Sequence, residues 1–558
     1  MINDGYIGVW FRLSGLNMEK FTNKPNSNYL FLYYINLLVT EFTLIIINDI
    51  LSGETIVNEE HIVNKLKSLF LKSNEKIENI SNLNTFKNYI SELRKEIDFA
   101  FNNYYNNEEH FKQITININS ADMILELPKI ICKEIIEFKD LKILYLFDEI
   151  ENLTDEQLIV FNTIIRQQKN KENVSLRLGG RLYSHNVKKT MDNGEEIKVP
   201  SDYIEKIIDS ELREKASKYK DIALTIFLKR FNSEDKLKNF ISITKSNIPN
   251  LFQEYDLLDG LKTFDKTKKI HFKKFNKFIK QCFDSQAQNL LIKHVSNEDL
   301  FIEKKNMLCV YKKIIKHEKL TNENIAILIS KFHTTKHYDS DLVKQLYKEY
   351  DKPLYFSGFD TIIEITKGSP RYLLSIYREI FNNLDDEFLK EEVISYKIQN
   401  YAIRKVADKF WEEAYIDYEN FNLVRMGIDR LCKYFNRIKL SMNLPEKSLI
   451  SFSFNETSLD REYREFLTLA EKTSLLITTD TLDRKTKNQS GLEKKYRLNP
   501  LLCVRWELSI AVGGTTEFSS NIIKALFTED ITEWKKFEDS KINQYNPIQD
   551  LGLFNDIE

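Results

Sequence analysis

The chain has 558 residues and a formal net charge of −2, with 42% apolar and 29% charged residues. That length holds more than one domain with its own core, and the balanced charge excludes a polycation that coats nucleic acid over its whole surface. Five scattered cysteines, Cys132, Cys282, Cys309, Cys432 and Cys503, with no C-x-x-C, fit a reducing cytoplasm and argue against both a disulfide scaffold and a zinc site.

Met1-Ile2-Asn3-Asp4-Gly5 puts no basic segment ahead of an apolar core, so no signal peptide is expected. Tyr6 to Leu13 predicts a short strand, and Ser27 to Leu51 a long helix ended by Ser52-Gly53. Tyr29 to Leu51 is apolar enough to invite a membrane reading. Its Asn36, Glu41, Asn48 and Asp49 favour instead a helix buried against a sheet, with no membrane partner and a cytoplasmic location. Glu60 to Leu71 and Leu83 to Phe101 have helical spacing with charged faces. Lys112 to Ile118 alternates polar and apolar, and reads either as a strand or as the start of a helical connection. Ala121 to Phe138 predicts a helix broken or kinked at Pro128. A strand over Lys142 to Phe147, a helix over Thr154 to Gln168 with Asp155 and Glu156 in its first turn, and a strand over Val174 to Leu178 closed by Gly179-Gly180 follow. Strands alternating with helices predict an α/β fold with a mainly parallel sheet flanked by helices.

Two motifs carry chemistry. Leu144-Tyr145-Leu146-Phe147-Asp148-Glu149 is a buried strand ending in adjacent carboxylates. A strand holds such groups rigidly, as holding a metal ion or polarising a water requires; the plainer reading is a strand leaving the core through two solvated acids. Downstream, Gly368-Ser369-Pro370-Arg371 opens an apolar helix. Gly permits the turn and Pro suits a first helical turn, which presents Arg371 at a helix start; the plainer reading is an ordinary exposed Arg. No G-x-x-x-x-G-K-[ST] occurs in the sequence.

Between them, Lys262 to Lys280 interleaves Lys262, Lys266, Lys268, Lys269, Lys273, Lys274, Lys277 and Lys280 with Phe264, His271, Phe272, Phe275 and Phe278. Such a segment either binds nucleic acid by phosphate contacts and stacking, or lays a solvated lysine face over a buried stripe. His333 and His337 are spaced to share a helix face, but metal binding is not expected without a third ligand.

Toward the C-terminus, Phe421 to Asn436 and Asp460 to Lys472 predict helices. Ser474 to Thr479 and Lys494 to Leu498 predict a hairpin whose loop, Asp480 to Glu493, carries Arg484, Lys485 and Lys487. Helices followed by a basic-tipped hairpin make a winged helix; the plainer reading is a helical subdomain with an ordinary exposed hairpin. Arg484, Lys485, Lys487, Lys494 and Lys495 are the candidate nucleic-acid contacts. Glu471, Asp480, Asp483 and Glu493 dilute their field, and winged helices also serve as protein contacts. The tail from Ser519 ends in Asp550, Asn555, Asp556 and Glu558, acidic and loosely packed at its very end.

The order of these parts resembles the origin-recognition/replication-initiator-like branch of the AAA+ ATPases; the abundance of Asn, Ile and Lys points to its bacterial relatives. The resemblance implies an ATP-dependent switch: a P-loop-type nucleotide domain, a helical lid and a DNA-binding winged helix. By it, Asp148 matches the magnesium-site Asp of Walker B, Glu149 the catalytic Glu, and Arg371 the sensor 2 Arg. Gly180-Arg181 stands where that family places a sensor 1 Asn, Ser or Thr; Arg181 is a replacement, an arginine finger toward a neighbouring subunit, or a surface Arg after a Gly-Gly turn. The implied division is a nucleotide domain lacking its first strand and phosphate loop (1–232), a basic helical insertion (233–320), a lid with sensor 2 (321–388), a winged-helix-like domain (389–518) and a tail (519–558).

ATP and Mg2+ are the implied cofactors, conditional on a phosphate loop ahead of Met1. DNA, a protein partner or further copies of the chain are the implied partners, in a mobile-element or phage-defence setting. Two expectations compete for the missing loop: an internal start that leaves the loop upstream, or a degenerate ATPase kept as a scaffold. The presence of Asp148, Glu149 and Arg371 favours the first.

Overall fold

The computed structural model describes residues 5–16, 18–22, 24–51, 58–106, 108–168, 171–191, 195–234, 243–316, 318, 320–384, 388, 392–415, 420–479, 493–511 and 513–545. The chain divides into two compact units, Met1–Lys206 and Ile207–Glu558.

The first unit is built on three parallel strands in the order β1 (Tyr6–Arg12), β2 (Lys142–Asp148) and β3 (Val174–Leu178), with β2 central. Its helices are α1 (Ser27–Leu51), α2 (Leu83–Asn102), α3 (Asp122–Glu134) and α4 (Asp155–Gln167), with a shorter one at Glu59–Lys67. Ile7, Val9 and Phe11 alternate with less buried neighbours along β1, and Ile143, Tyr145 and Phe147 do the same along β2. These residues form one buried sheet face. The opposite face carries Tyr6 and Trp10, both exposed.

α1 is the one helix of the described residues long and apolar enough to cross a membrane, yet 83% of its most apolar window is buried inside the protein. Its buried polar residues have partners. Asn36 donates to the Leu32 and Ser120 carbonyls and accepts from Ile124 N, while Glu41 pairs with Arg94 of α2 at 2.7 Å. α4 opens with a capping box: Thr154 accepts from Gln157 N and Gln157 accepts from Thr154 N. Pro128 neither breaks nor ends its helix, since α3 runs through it to Glu134. Lys112 to Ile118 forms no strand; only an isolated bridge joins Ile118 to Phe70.

The second unit is mainly helical. The elements used below are α5 (Ile208–Glu214), α6 (Phe272–Cys282), α7 (Leu300–Ile315), α8 (Pro370–Asn382), α9 (Phe421–Lys439), β4 (Leu449–Asn455), α10 (Arg461–Lys472), β5 (Leu476–Thr478), β6 (Glu493–Leu498), β7 (Gly514–Glu517), α11 (Ser520–Phe527) and α12 (Thr532–Tyr545). The expected hairpin is present, with β5 and β6 antiparallel and Leu476 opposite Leu498. It belongs to a larger sheet of order β5-β6-β4-β7, in which β4 pairs antiparallel with β6 and parallel with β7.

Residues 519–545 are folded: Phe527 of α11 and Trp534 of α12 sit in the core. The acidic end, 546–558, lies outside the described residues. His333 ends its helix and His337 lies in the following turn, so the two do not share a helix face. Among the described residues no cluster of His, Cys, Asp and Glu could hold a metal ion by itself. All five cysteines are buried and free.

Candidate functional site

Parallel strands that start together also end together. The register that sets Phe11 beside Phe147 and Phe147 beside Leu178 brings Arg12, Asp148-Glu149 and Gly179-Gly180-Arg181 to one edge of the sheet. Ligands of open parallel sheets bind at this carboxyl edge. The edge rests on rings: Phe11 stacks on Phe147 at 4.9 Å, and Phe161 of α4 meets Phe147 edge-on at 4.9 Å. The backbone that carries the acids is therefore anchored in the core of the unit.

Asp148 is exposed, and its Oδ1 accepts from Glu149 N at 2.9 Å. Glu149 has a left-handed backbone, φ 64° and ψ 45°, uncommon for a non-glycine residue. This conformation turns the chain into a single 3-10 turn, Ile150–Asn152, in which Asn152 donates to the Glu149 carbonyl from both its backbone N and its Nδ2. The Glu149 carboxylate accepts from Arg12 Nε at 2.9 Å. That hydrogen bond, a second from Ser14 and the nearby charge of Arg181 hold its pKa below the ordinary glutamate value, and Arg12 is raised in return. Gly179 leaves room for this arrangement, since a Cβ there would come within 3.2 Å of Asp148 Oδ1. At Gly180 a Cβ would meet Ser184 Oγ at 2.4 Å and Ile150 Cγ1 at 2.5 Å.

Three predicted residues thus share one edge: Asp148, Glu149 and Arg181. Arg181 does not reach out free of the protein. Its Nε lies 3.2 Å from Glu151 Oε1 and its backbone N donates to Glu151 Oε2. Arg12 escaped the sequence reading, because only the strand register brings it to Glu149 across 137 positions; the visible signal was an arginine closing an otherwise apolar strand.

Arg371 belongs to the second unit. Pro370 is the first residue of α8, and Arg371 is exposed with no ion pair among the described residues. The preceding turn depends on Gly368, with φ 86°; a Cβ there would sit 2.7 Å from Arg213 Cγ and 2.8 Å from the Asp209 carbonyl of α5. Burial raises Asp209 and lowers Arg213, with Asp209 and then Glu471 opposing the latter shift.

Lys494 and Lys495 lie on β6, half-buried, with Lys494 Nζ 5.3 Å from the centre of the Tyr496 ring. Arg484, Lys485 and Lys487 lie outside the described residues. In the lysine-rich segment Phe264, His271, Phe272, Phe275 and Phe278 are all buried, which removes them as stacking surfaces.

Asp148 suits a magnesium ion that keeps most of its water shell. It is a single exposed carboxylate with one oxygen still open, the pattern of Mg2+ bound by one or two carboxylates plus substrate phosphates. Glu149 suits the activation of a water once Arg12 releases it.

The sequence profile of the ORC-CDC6-like family matches residues 2–518. No curated protein and no solved structure matches the chain. The match spans nearly the whole chain, and the protein belongs to the ORC-CDC6-like family, a relationship to initiator-like AAA+ proteins.

Proposed function

We propose that this ORC-CDC6-like protein is a nucleotide-dependent switch that acts on DNA or on a protein partner. The observation that carries the reading is the convergence of Arg12, Asp148 and Glu149 at the carboxyl edge of three parallel strands. In this reading Asp148 holds the water shell of Mg2+, Glu149 polarises the attacking water, and Arg371 contacts the phosphates from the lid. Arg12 keeps Glu149 ionised and turned aside until a ligand draws the guanidinium away. Bound ATP would supply the phosphoryl group and Mg2+ its charge neutralisation; both are conditional on a phosphate-binding loop that joins this edge.

The winged-helix reading of the C-terminal part finds support in the sheet order β5-β6-β4, where the strand after the loop pairs with the strand before the helix. Packing of α9, α10 and α11 around Phe466 and Phe527 provides a helical core beside that sheet. Arg484, Lys485, Lys487, Lys494 and Lys495 are the proposed DNA contacts.

A scaffold without catalysis is the second reading, favoured by the lack of G-x-x-x-x-G-K-[ST] in the sequence. The two part on one measurement, the change in melting temperature with ATP and Mg2+. Ligand at ~100 times its Kd adds about 2.7 kcal/mol to the folded state. The switch reading expects such a shift, and its loss in Asp148→Ala. No shift in the wild-type protein would leave the scaffold.

A further inference from the structure

We propose that the Lys273, Lys277 and Lys280 face of α6 binds the phosphodiester backbone of double-stranded DNA without reading its sequence. Positions i, i+4 and i+7 fall on one side of a helix. All three lysines are exposed, and none of their side chains has an ion pair or hydrogen bond among the described residues. The other side of α6 is the core stripe Phe272, Phe275, Phe278, Ile279 and Cys282, so the lysine face is fixed in orientation.

Along the chain the segment itself is one-sided in charge, with acids at its flanks, Asp265 and Glu298. From Lys266 to Val295 there are eight lysines and a single acid, Asp284. Asp284 is committed as the cap of the next helix, accepting from Ala287 N at 2.8 Å. Other lysines of the segment are engaged: Lys262 with Asp259, Lys266 with the Glu298 carbonyl, Lys274 with the Leu440 carbonyl. The protein's net charge of −2 makes this a local feature and not an expression of general basicity.

The burial of the aromatic residues selects the partner. Single strands are held by stacking on exposed rings, and a membrane surface is entered by apolar side chains; α6 offers neither. A rigid row of ammonium groups does suit a duplex backbone. Lys273 and Lys280 lie about 10 Å apart along the helix axis, while each strand of B-DNA carries a phosphate about every 3.4 Å of its own axis. The proposal uses none of the residues between β5 and β6 and does not depend on nucleotide chemistry at the Asp148 edge.

The test measures binding of the full chain to two unrelated labelled duplexes over a range of salt. The variants are the triple Lys273→Gln, Lys277→Gln, Lys280→Gln and the corresponding triple to Arg. For three phosphate contacts the log–log salt slope of the Gln triple falls by about 2–3, and its affinity drops roughly tenfold or more, equally on both duplexes. The Arg triple, which keeps the charge, binds as the wild type does. Unchanged affinity and slope in the Gln triple overturns the proposal, even if charge removal at Arg484, Lys485 and Lys487 abolishes binding and so upholds the winged-helix contact. Failure of the wild type to bind either duplex overturns it as well. So does tighter binding to duplex RNA or to phosphatidylserine vesicles, lost in the same variant.

Discussion

The carboxyl edge of the first unit and the α9–α11 junction of the second unit both gather charges, and they treat them in opposite ways. At the edge, Arg12 and Glu149 pair with each other and stay accessible, with 61% and 26% of their side chains exposed. At the junction, Arg430 of α9 is buried and gives its guanidinium to the carbonyls of Ala525 and Leu526 in the last turn of α11 and of Thr528 and Glu529 just past its end. A helix leaves its last carbonyls without partners and concentrates negative potential there, so a buried cation at that point completes the fold. An exposed pair contributes little to stability and can be taken apart by a ligand. Burial and partner type, more than charge itself, separate the groups that hold the structure from those able to do chemistry.

Arg430→Ala should widen this contrast most. It strands several backbone carbonyls, and we expect a loss of about 3 kcal/mol, at the upper end for buried acceptors left without a donor, read as a lower denaturant midpoint. Gly427 lies one turn earlier on the same face of α9, where a Cβ would meet Phe527 Cδ1 at 2.4 Å. Gly427→Ala should therefore cost about 2 kcal/mol through overpacking; an unchanged melting temperature would show that α11 moves away freely.

Lys439 offers a gentler probe of the same unit. Burial lowers its pKa from 10.5 to about 8, and its Nζ donates to the Glu507 carbonyl at 2.7 Å. Between those two pH values the unfolded chain binds more protons than the folded one, so this group's contribution to stability rises with pH. The stability difference between wild type and Lys439→Met should change by on the order of 3 kcal/mol across that window, and a flat difference would place the amine in water.

The smallest stability effect belongs to the edge. Arg12→Ala should leave the melting temperature essentially unchanged, because an exposed ion pair contributes little to stability. It should nevertheless move the carboxyl titration of Glu149 upward, toward the ordinary glutamate range, as followed by carbon NMR. If the titration stays put, Ser14 and Arg181 hold the carboxylate instead.

Much of this was written locally in the sequence. β1, β2 and β3 announce themselves by apolar runs between polar breaks, and α1 by its length. β4 carries a plain alternation, Ile450, Phe452 and Phe454, that the sequence reading passed over. β7, Gly-Thr-Thr-Glu, has no apolar residue of its own; its extended form comes from pairing with β4, a tertiary cause. The lysine segment left two readings open because period and composition are the same whether Phe275 and Phe278 point inward or outward. Asp148 and Glu149 were legible as a strand end. Arg12 was not, because its role arises from a parallel register between segments far apart in the chain.

The left-handed backbone of Glu149 separates two kinds of selection. Glycine or asparagine would occupy φ 64° with less strain, so a variant library sorted for folding alone should drift toward those residues at this position. A library sorted for work done at the sheet edge should keep the carboxylate and retain the strain. Comparing the residues that survive at position 149 under the two regimes would therefore measure, from population frequencies alone, how strongly the cell depends on that edge.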